Sequence, residues 1–214
     1  ATGDGSTDDT AEIQAAIDAV RAAGGGALLF PAGTYKISAT LTTCDSVYLI
    51  GEGAGRWYQP TEAPATKIAW YGGASNMLQF GHGVSTQVNG GVARMCVDGR
   101  GIATRCLSVK DFQHGQFDDI QLTGAITAAL ELSNTDTYDV TGFCTFRDMQ
   151  INLRGGATDS AHGIYLNGVG TGASGVTKNH FFAPRIEHAN GHGLILGLRA
   201  DSNTFVDFFA YRAN

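Results

Sequence analysis

"GDGSTDDTAEIQAAI" (residues 3–17) runs a string of acidic and turn-forming residues straight into a helical pattern. Ile13, Ala16, Ile17 and Val20 recur at i, i+3, i+4 and i+7, which sets them on one face of an amphipathic helix. Asp9 followed three residues later by Glu12 has the spacing of a capping box, and Gly24, Gly25 and Gly26 supply the stop. The pattern predicts one helix over 9–22 whose narrow apolar stripe covers something behind it.

Behind it the period changes. "ALLF" (27–30) reads as a short apolar strand, "PAG" (31–33) as a turn and "TYKIS" (34–38) as an alternating strand. "VYLIGEGAG" (47–55) is a further strand ending in glycines, and no second convincing helix follows. Gly counts 30 against 4 Pro with no Gly-X-Y period, and 43% of residues are hydrophobic, so collagen and disorder are excluded. Many short strands joined by tight turns fit this composition.

The formal net charge is −6 and no run of Lys and Arg occurs, which argues against a nucleic-acid partner. No apolar run approaches the ~18 residues of a membrane span, so no membrane insertion is expected. No charged-then-apolar leader is visible at the start. Cys44, Cys96, Cys106 and Cys144 form no CxxC pair and have no His at zinc-finger spacing. They read as ordinary thiols, with no metal and no cofactor expected.

Taken together, "GDGSTDDTAEIQAAI…GGGALLFPAGTYKIS…VYLIGEGAG" (within 3–55) resembles the N-terminal signature of the pectate-lyase-like superfamily. That group includes polygalacturonases, bacterial polysaccharide-degrading enzymes and phage tailspikes. The resemblance is nearest to the N-terminal part of a bacteriophage tailspike or polysaccharide depolymerase. It implies an all-β fold, a right-handed parallel β-helix, with residues 9–22 as the α-helix that caps its N-terminal end. A solenoid's open end exposes core and unpaired strand edges, so a cap is needed there.

The remaining chain repeats loosely. "VARMCV" (92–97), "FDDIQL" (117–122), "FRDMQI" (146–151), "FFAPRI" (181–186) and "FVDFFA" (205–210) stack with apolar residues at the first, fourth and sixth places. Their spacing falls in the ~20–50-residue range of solenoid repeats. A second register follows in "CLSV" (106–109), "ALEL" (129–132), "GIYL" (163–166) and "GLIL" (193–196). "NTDTYDVTG" (134–142) and "NGVGTGASGVTKN" (167–179) read as projecting loops. The expected organisation is one β-helix domain over 1–214: a capping region to 26, irregular first coils over 27–91 and regular rungs over 92–214. The rung starting at Phe205 has no second register, so the chain is expected to be a fragment ending mid-rung.

Stacked rungs turn aligned positions into columns ~4.8 Å apart. The third place gives Arg94, Asp119, Asp148, Ala183 and Asp207, with Asp119 beside Asp148. Two adjacent carboxyls suit a retaining glycosidase. The favoured reading is a ladder of short polar side chains at a turn. The fifth and seventh places are expected to point outward and to gather Gln121, Gln150, Asn152, Arg185, Glu187 and Tyr211 into a flat face. Amides beside an aromatic plate suit a sugar, and Arg185 offers a fork to an acidic one. Glu187 is the catalytic candidate on that face. His162 and His192 align before "GIYL" and "GLIL" and read as turn residues. "DD" (118–119), "NTD" (134–136), "RIE" (185–187) and "GHG" (81–83 and 191–193) echo polygalacturonase motifs in the wrong order, so no catalytic role is carried over.

The functional expectation is recognition and depolymerisation of a bacterial or plant surface polysaccharide, by hydrolysis in preference to lyase chemistry. The alternative is a non-enzymatic shaft or adhesin segment. The resemblance to tailspikes implies a homotrimer on a virion tail or outside the cell.

Overall fold

The computed structural model describes residues 1–43, 45–55, 63–81, 87–135, 140–153, 161–169, 175–189 and 191–211. The chain winds into a right-handed parallel β-helix closed at its N-terminal end by one helix, Thr10–Ala22. Among the described residues the strands form a large sheet of sixteen and a second sheet of six, and every strand pair is parallel. One coil shows the plan. Phe112–Thr123 runs through the large sheet, Ala128–Ser133 crosses the second sheet, and Val140–Gly142 begins the next coil.

The capping helix buries Ile13 and Ile17 against the first coil, as its periodicity predicts. Its end is a Schellman motif: Gly25 N–H donates to Val20 O, and Gly24 N–H to Arg21 O. Gly24 and Gly25 take φ of 94° and 104°, which a side chain would resist. The expected capping box does not form. Asp9 is buried, and its carboxylate accepts from Thr2 N, Thr2 Oγ1 and Gly3 N instead of from the helix. Those donors tie the chain's first residues down. Asp8, one residue earlier, accepts from Thr10 N at 3.1 Å and serves the first turn.

The rungs stack in the register that the apolar pattern predicts. Val92, Phe117, Phe146, Phe181 and Phe205 pair in sequence from coil to coil. Phe117, Phe146 and Phe181 are fully buried, and neighbouring rings lie 4.6 Å apart with planes 5–7° from parallel. Leu41, Leu78, Leu107, Leu130, Ile164 and Leu194 form the matching column of the second sheet. The supposed loops hide strands. Val140–Gly142 and Gly175–Thr177 pair with each other and extend the large sheet, a third register too short and polar to show in the sequence. Cys96, Cys106 and Cys144 are buried free thiols, and burial pushes Cys96 and Cys144 up to about 12. Cys44 lies outside the described residues.

Phe146 is sandwiched between two rings in a column that cannot collapse without shifting three coils. Phe146→Ala is expected to cost about 3–5 kcal/mol in urea denaturation. Ile17→Asp, which buries a lone charge under the cap, should also lower the transition midpoint sharply.

Candidate functional site

The face predicted on the large sheet assembles in register but is not open. Gln121, Gln150 and Arg185 stack in one column, and Asn152, Glu187 and Tyr211 in another two residues on. Gln121, Gln150, Asn152 and Glu187 are nonetheless buried, at 6, 4, 8 and 8% exposure. Arg185 is exposed with its guanidinium 5.3 Å from the Phe209 ring, and Tyr211 is 54% exposed. Strand alternation fixes which side of a strand a residue takes, not what lies over it. Gln150 has neither amide atom hydrogen-bonded.

Asp119 and Asp148 occupy a bend in the large sheet. Arg94, Asp119, Asp148, Ala183 and Asp207 all adopt left-handed φ of 48–55°. Asp tolerates that conformation, but Ala183 takes it too, so the bend is a property of the column. Asp136 of "NTD" and His82 of the first "GHG" lie outside the described residues.

The second sheet carries a polar cleft of about 270 Å³ on its outer side. Asn76 and Gln79 open it, Arg105, Ser108 and Lys110 line the next rung, and Glu131, Ser133, Asn134 and Asn167 complete it. Arg105 Nε faces Glu131 Oε2 in an ion pair, and Arg105 Nη1 donates to Asn76 Oδ1 at 3.3 Å. Asn167 Nδ2 donates to Glu131 Oε1 at 2.9 Å. Burial pulls the Arg105 guanidinium below its ordinary value, and the neighbouring Tyr165 opposes this. The carboxylate is thus held by a cation and an amide, and Lys110 is left as a second cation of the cleft.

Register extends the same columns past the cleft. Ala128, next to Arg105, pairs with His162, and Glu131 pairs with Tyr165. The His162 and His192 rings stack 5.5 Å apart, and His192 N–H donates to His162 Nδ1 at 3.1 Å. Accepting that bond leaves the proton of neutral His162 on Nε2. Burial, then the charge of His192, pulls His162 below the ordinary histidine value. These residues escape the sequence reading, which followed the apolar members of the second register. The signal was present in the polar residues within and flanking it: Arg105, Ser108, Lys110, Glu131, Tyr165 and Asn167.

A family profile described as rhamnogalacturonase A/epimerase, pectate lyase-like, matches residues 1–206. The chain is 38% identical over 107 residues to the mannuronan C5-epimerase AlgE3 of Azotobacter vinelandii, a match spanning 46% of this chain and 5% of that protein. In structure it resembles ORF18 of Geobacillus virus E2, with a TM-score of 0.63, 24% identity, and 87% of this chain aligned to 35% of the phage chain. It also resembles a candidate glycosyl hydrolase from Parabacteroides merdae, with a TM-score of 0.62, 16% identity, and 99% of this chain aligned to 93% of that one. At these identities the two structures speak to fold alone.

Gln150→Leu removes a buried amide that has no partner, so it is expected to raise stability by roughly 1–3 kcal/mol in urea denaturation. A loss of stability would show that the amide is satisfied in solution. Folded His162 binds its proton less readily than the unfolded chain does. Its contribution to stability is therefore present above the ordinary histidine value and is lost as pH falls through the lowered folded one. His162→Gln should flatten this part of a stability profile recorded from roughly pH 8 to 5.

Proposed function

Because the chain belongs to the rhamnogalacturonase A/epimerase, pectate lyase-like family, we propose that it binds an acidic polysaccharide along the outer side of its second sheet and moves a proton on it. One observation carries this reading: the cleft is lined by two cations, Arg105 and Lys110, and a single carboxylate, Glu131. Hydrolysis uses a pair of carboxyl groups flanking the glycosidic bond, and among the described residues the cleft has no second one. Two cations suit a sugar carboxylate, and neutralising it acidifies the proton on the adjacent carbon.

Each residue then has a task. Lys110 and Arg105 hold the sugar carboxylate, and Glu131 with Asn167 fixes the Arg105 fork. Tyr165, as its phenolate, takes the proton from the carbon beside the carboxylate, and Nε2–H of neutral His162 donates to the oxygen that leaves or stays bound. Loss of the glycosidic oxygen is lyase chemistry, and return of a proton to the opposite face is epimerisation. The similarity to a mannuronan C5-epimerase supports this over hydrolysis, although the matched stretch is 5% of that enzyme's length.

The large-sheet face of Gln121, Gln150, Asn152, Arg185, Glu187 and Tyr211 is the less favoured location, since four of the six are buried. An extracellular or virion-tail setting and a homotrimer belong to the same proposal. The exposed rings of Phe182, Phe209 and Tyr211 offer a surface for the trimer contact, which light scattering can check. No described helix is long and apolar enough to cross a membrane.

Incubation with oligouronates in deuterated water tests the reaction. Unsaturated ends, or solvent deuterium at the carbon beside the carboxylate without cleavage, are expected. Tyr165→Phe should lower either signal by ~100-fold or more, as loss of a proton-transfer group does. New reducing ends without unsaturation would make the protein a hydrolase. Binding with no turnover would favour the adhesin alternative.

A further inference from the structure

Tyr71 stands at a corner of the β-helix, just past strand Thr66–Trp70, with its N–H bonded to Ile37 O at 2.7 Å. Tyr71 is 42% exposed. The Arg100 guanidinium lies 3.8 Å from the ring centroid, and Lys36 Nζ lies 4.8 Å from it. Two cations on one ring repel each other, and the ring's negative face draws both. Arg100 is exposed, and among the described residues no carboxylate pairs with its guanidinium. Asp98 is engaged elsewhere: it pairs with Lys67 at 3.6 Å and accepts from Arg100's backbone N–H at 3.0 Å. Asp8 lies near Lys36, but the hydroxyls of Ser38 and Thr10 bond its carboxylate.

The corner is also stiff. Arg100 takes a φ of 55° in a turn where Ile102 N–H and Ala103 N–H both donate to Gly99 O. Thr104 N–H donates to Ser75 O at 2.8 Å and ties this corner to the one beneath. A stacked guanidinium on a fixed turn loses little freedom when it binds, and its unused N–H donors suit a planar oxyanion. Both corner segments, 71–75 and 99–104, lead directly into Asn76 and Arg105, the residues that open the second-sheet cleft.

We propose that Lys36, Tyr71 and Arg100 form a carboxylate-binding subsite for an acidic sugar of a polysaccharide whose neighbouring sugars occupy the second-sheet cleft. The inference rests on the cleft being the glycan site. The corner adds affinity only for a chain long enough to turn it, because the second contact is then intramolecular.

The test compares binding of a uronate trisaccharide and of a long oligouronate by titration calorimetry. Arg100→Ala, with melting unchanged, is expected to weaken the long ligand roughly tenfold and leave the trisaccharide unaffected. The part lost should be the part that salt suppresses, and Arg100→Lys, which keeps the charge but not the fork, should restore it only partly. Equal affinity of Arg100→Ala and wild type for the long ligand overturns the subsite. An equal loss for both lengths does so too, since it would mean the variant acts through the cleft. Failure of the cleft reading appears separately, as a Lys110→Ala variant that binds the trisaccharide normally. A wild-type protein that binds neither probe overturns both.

Discussion

Backbone hydrogen bonds between successive coils hold each position ~4.8 Å above its counterpart one turn below, and the rest of the molecule follows from that spacing. Aromatic rings stacked face to face want nearly the same separation, and the Phe117, Phe146, Phe181 and Phe205 rings sit 4.6 Å apart. Backbone and side chains therefore agree, and like residues are selected to lie over like. The polar interior obeys the same spacing. Cys144 N–H donates to Asn179 Oδ1, Asn179 N–H donates to Asn203 Oδ1, and Asn203 Nδ2 returns to Val176 O. Buried turn groups that would otherwise go unpaired are satisfied by a side chain from the coil above.

Stacking also decides where the coil bends. Ser46, Asn89, His114, Phe143, Lys178 and Ser202 form a second column with left-handed φ, all between 53° and 61°. Phe and Lys have no preference for that conformation, and in isolation it costs roughly 1–2 kcal/mol per residue. Pairing above and below the bend holds each one in place. The two bend columns fold the large sheet around the core and leave the second sheet its own outer side. The cleft is a consequence of this cross-section, which needs no contribution from the residues that line it.

That division explains what could be read from the sequence. Inward columns are legible because apolar residues must recur wherever the core is crossed. Phe117 over Phe146 and Ile151 over Ile186 followed from aligning short strings. The helix was legible from Ile13 and Ile17, but its first turn was not. Asp9 has the right spacing for a cap, and only the fold brings Thr2 and Gly3 to its carboxylate. The short strands at Val140–Gly142 and Gly175–Thr177 were hidden because three mostly small or polar residues carry no periodicity. The site was hidden for a different reason. An outward residue is under no packing rule, so its column shows only once the inward one beside it is fixed. Glu131 and Tyr165 align as soon as Leu130 is set over Ile164.

The cleft's charges are also more than the fold requires. Neighbouring positions on the same outer side are filled by Ser108, Ala128 and Gln79, which cover the sheet without any charge. Burying Arg105 against Glu131 costs desolvation that their attraction does not fully return, so the pair is poor value as a source of stability. What the pair does provide is a guanidinium held in one orientation, its Nε committed to Glu131 and its Nη1 to Asn76. Lys110 in the same cleft adds a positive charge that Glu131, committed to Arg105 and Asn167, does not offset. A rigid wall with an excess of positive charge, in a chain of net charge −6, is the arrangement that the proposed binding of a sugar carboxylate uses.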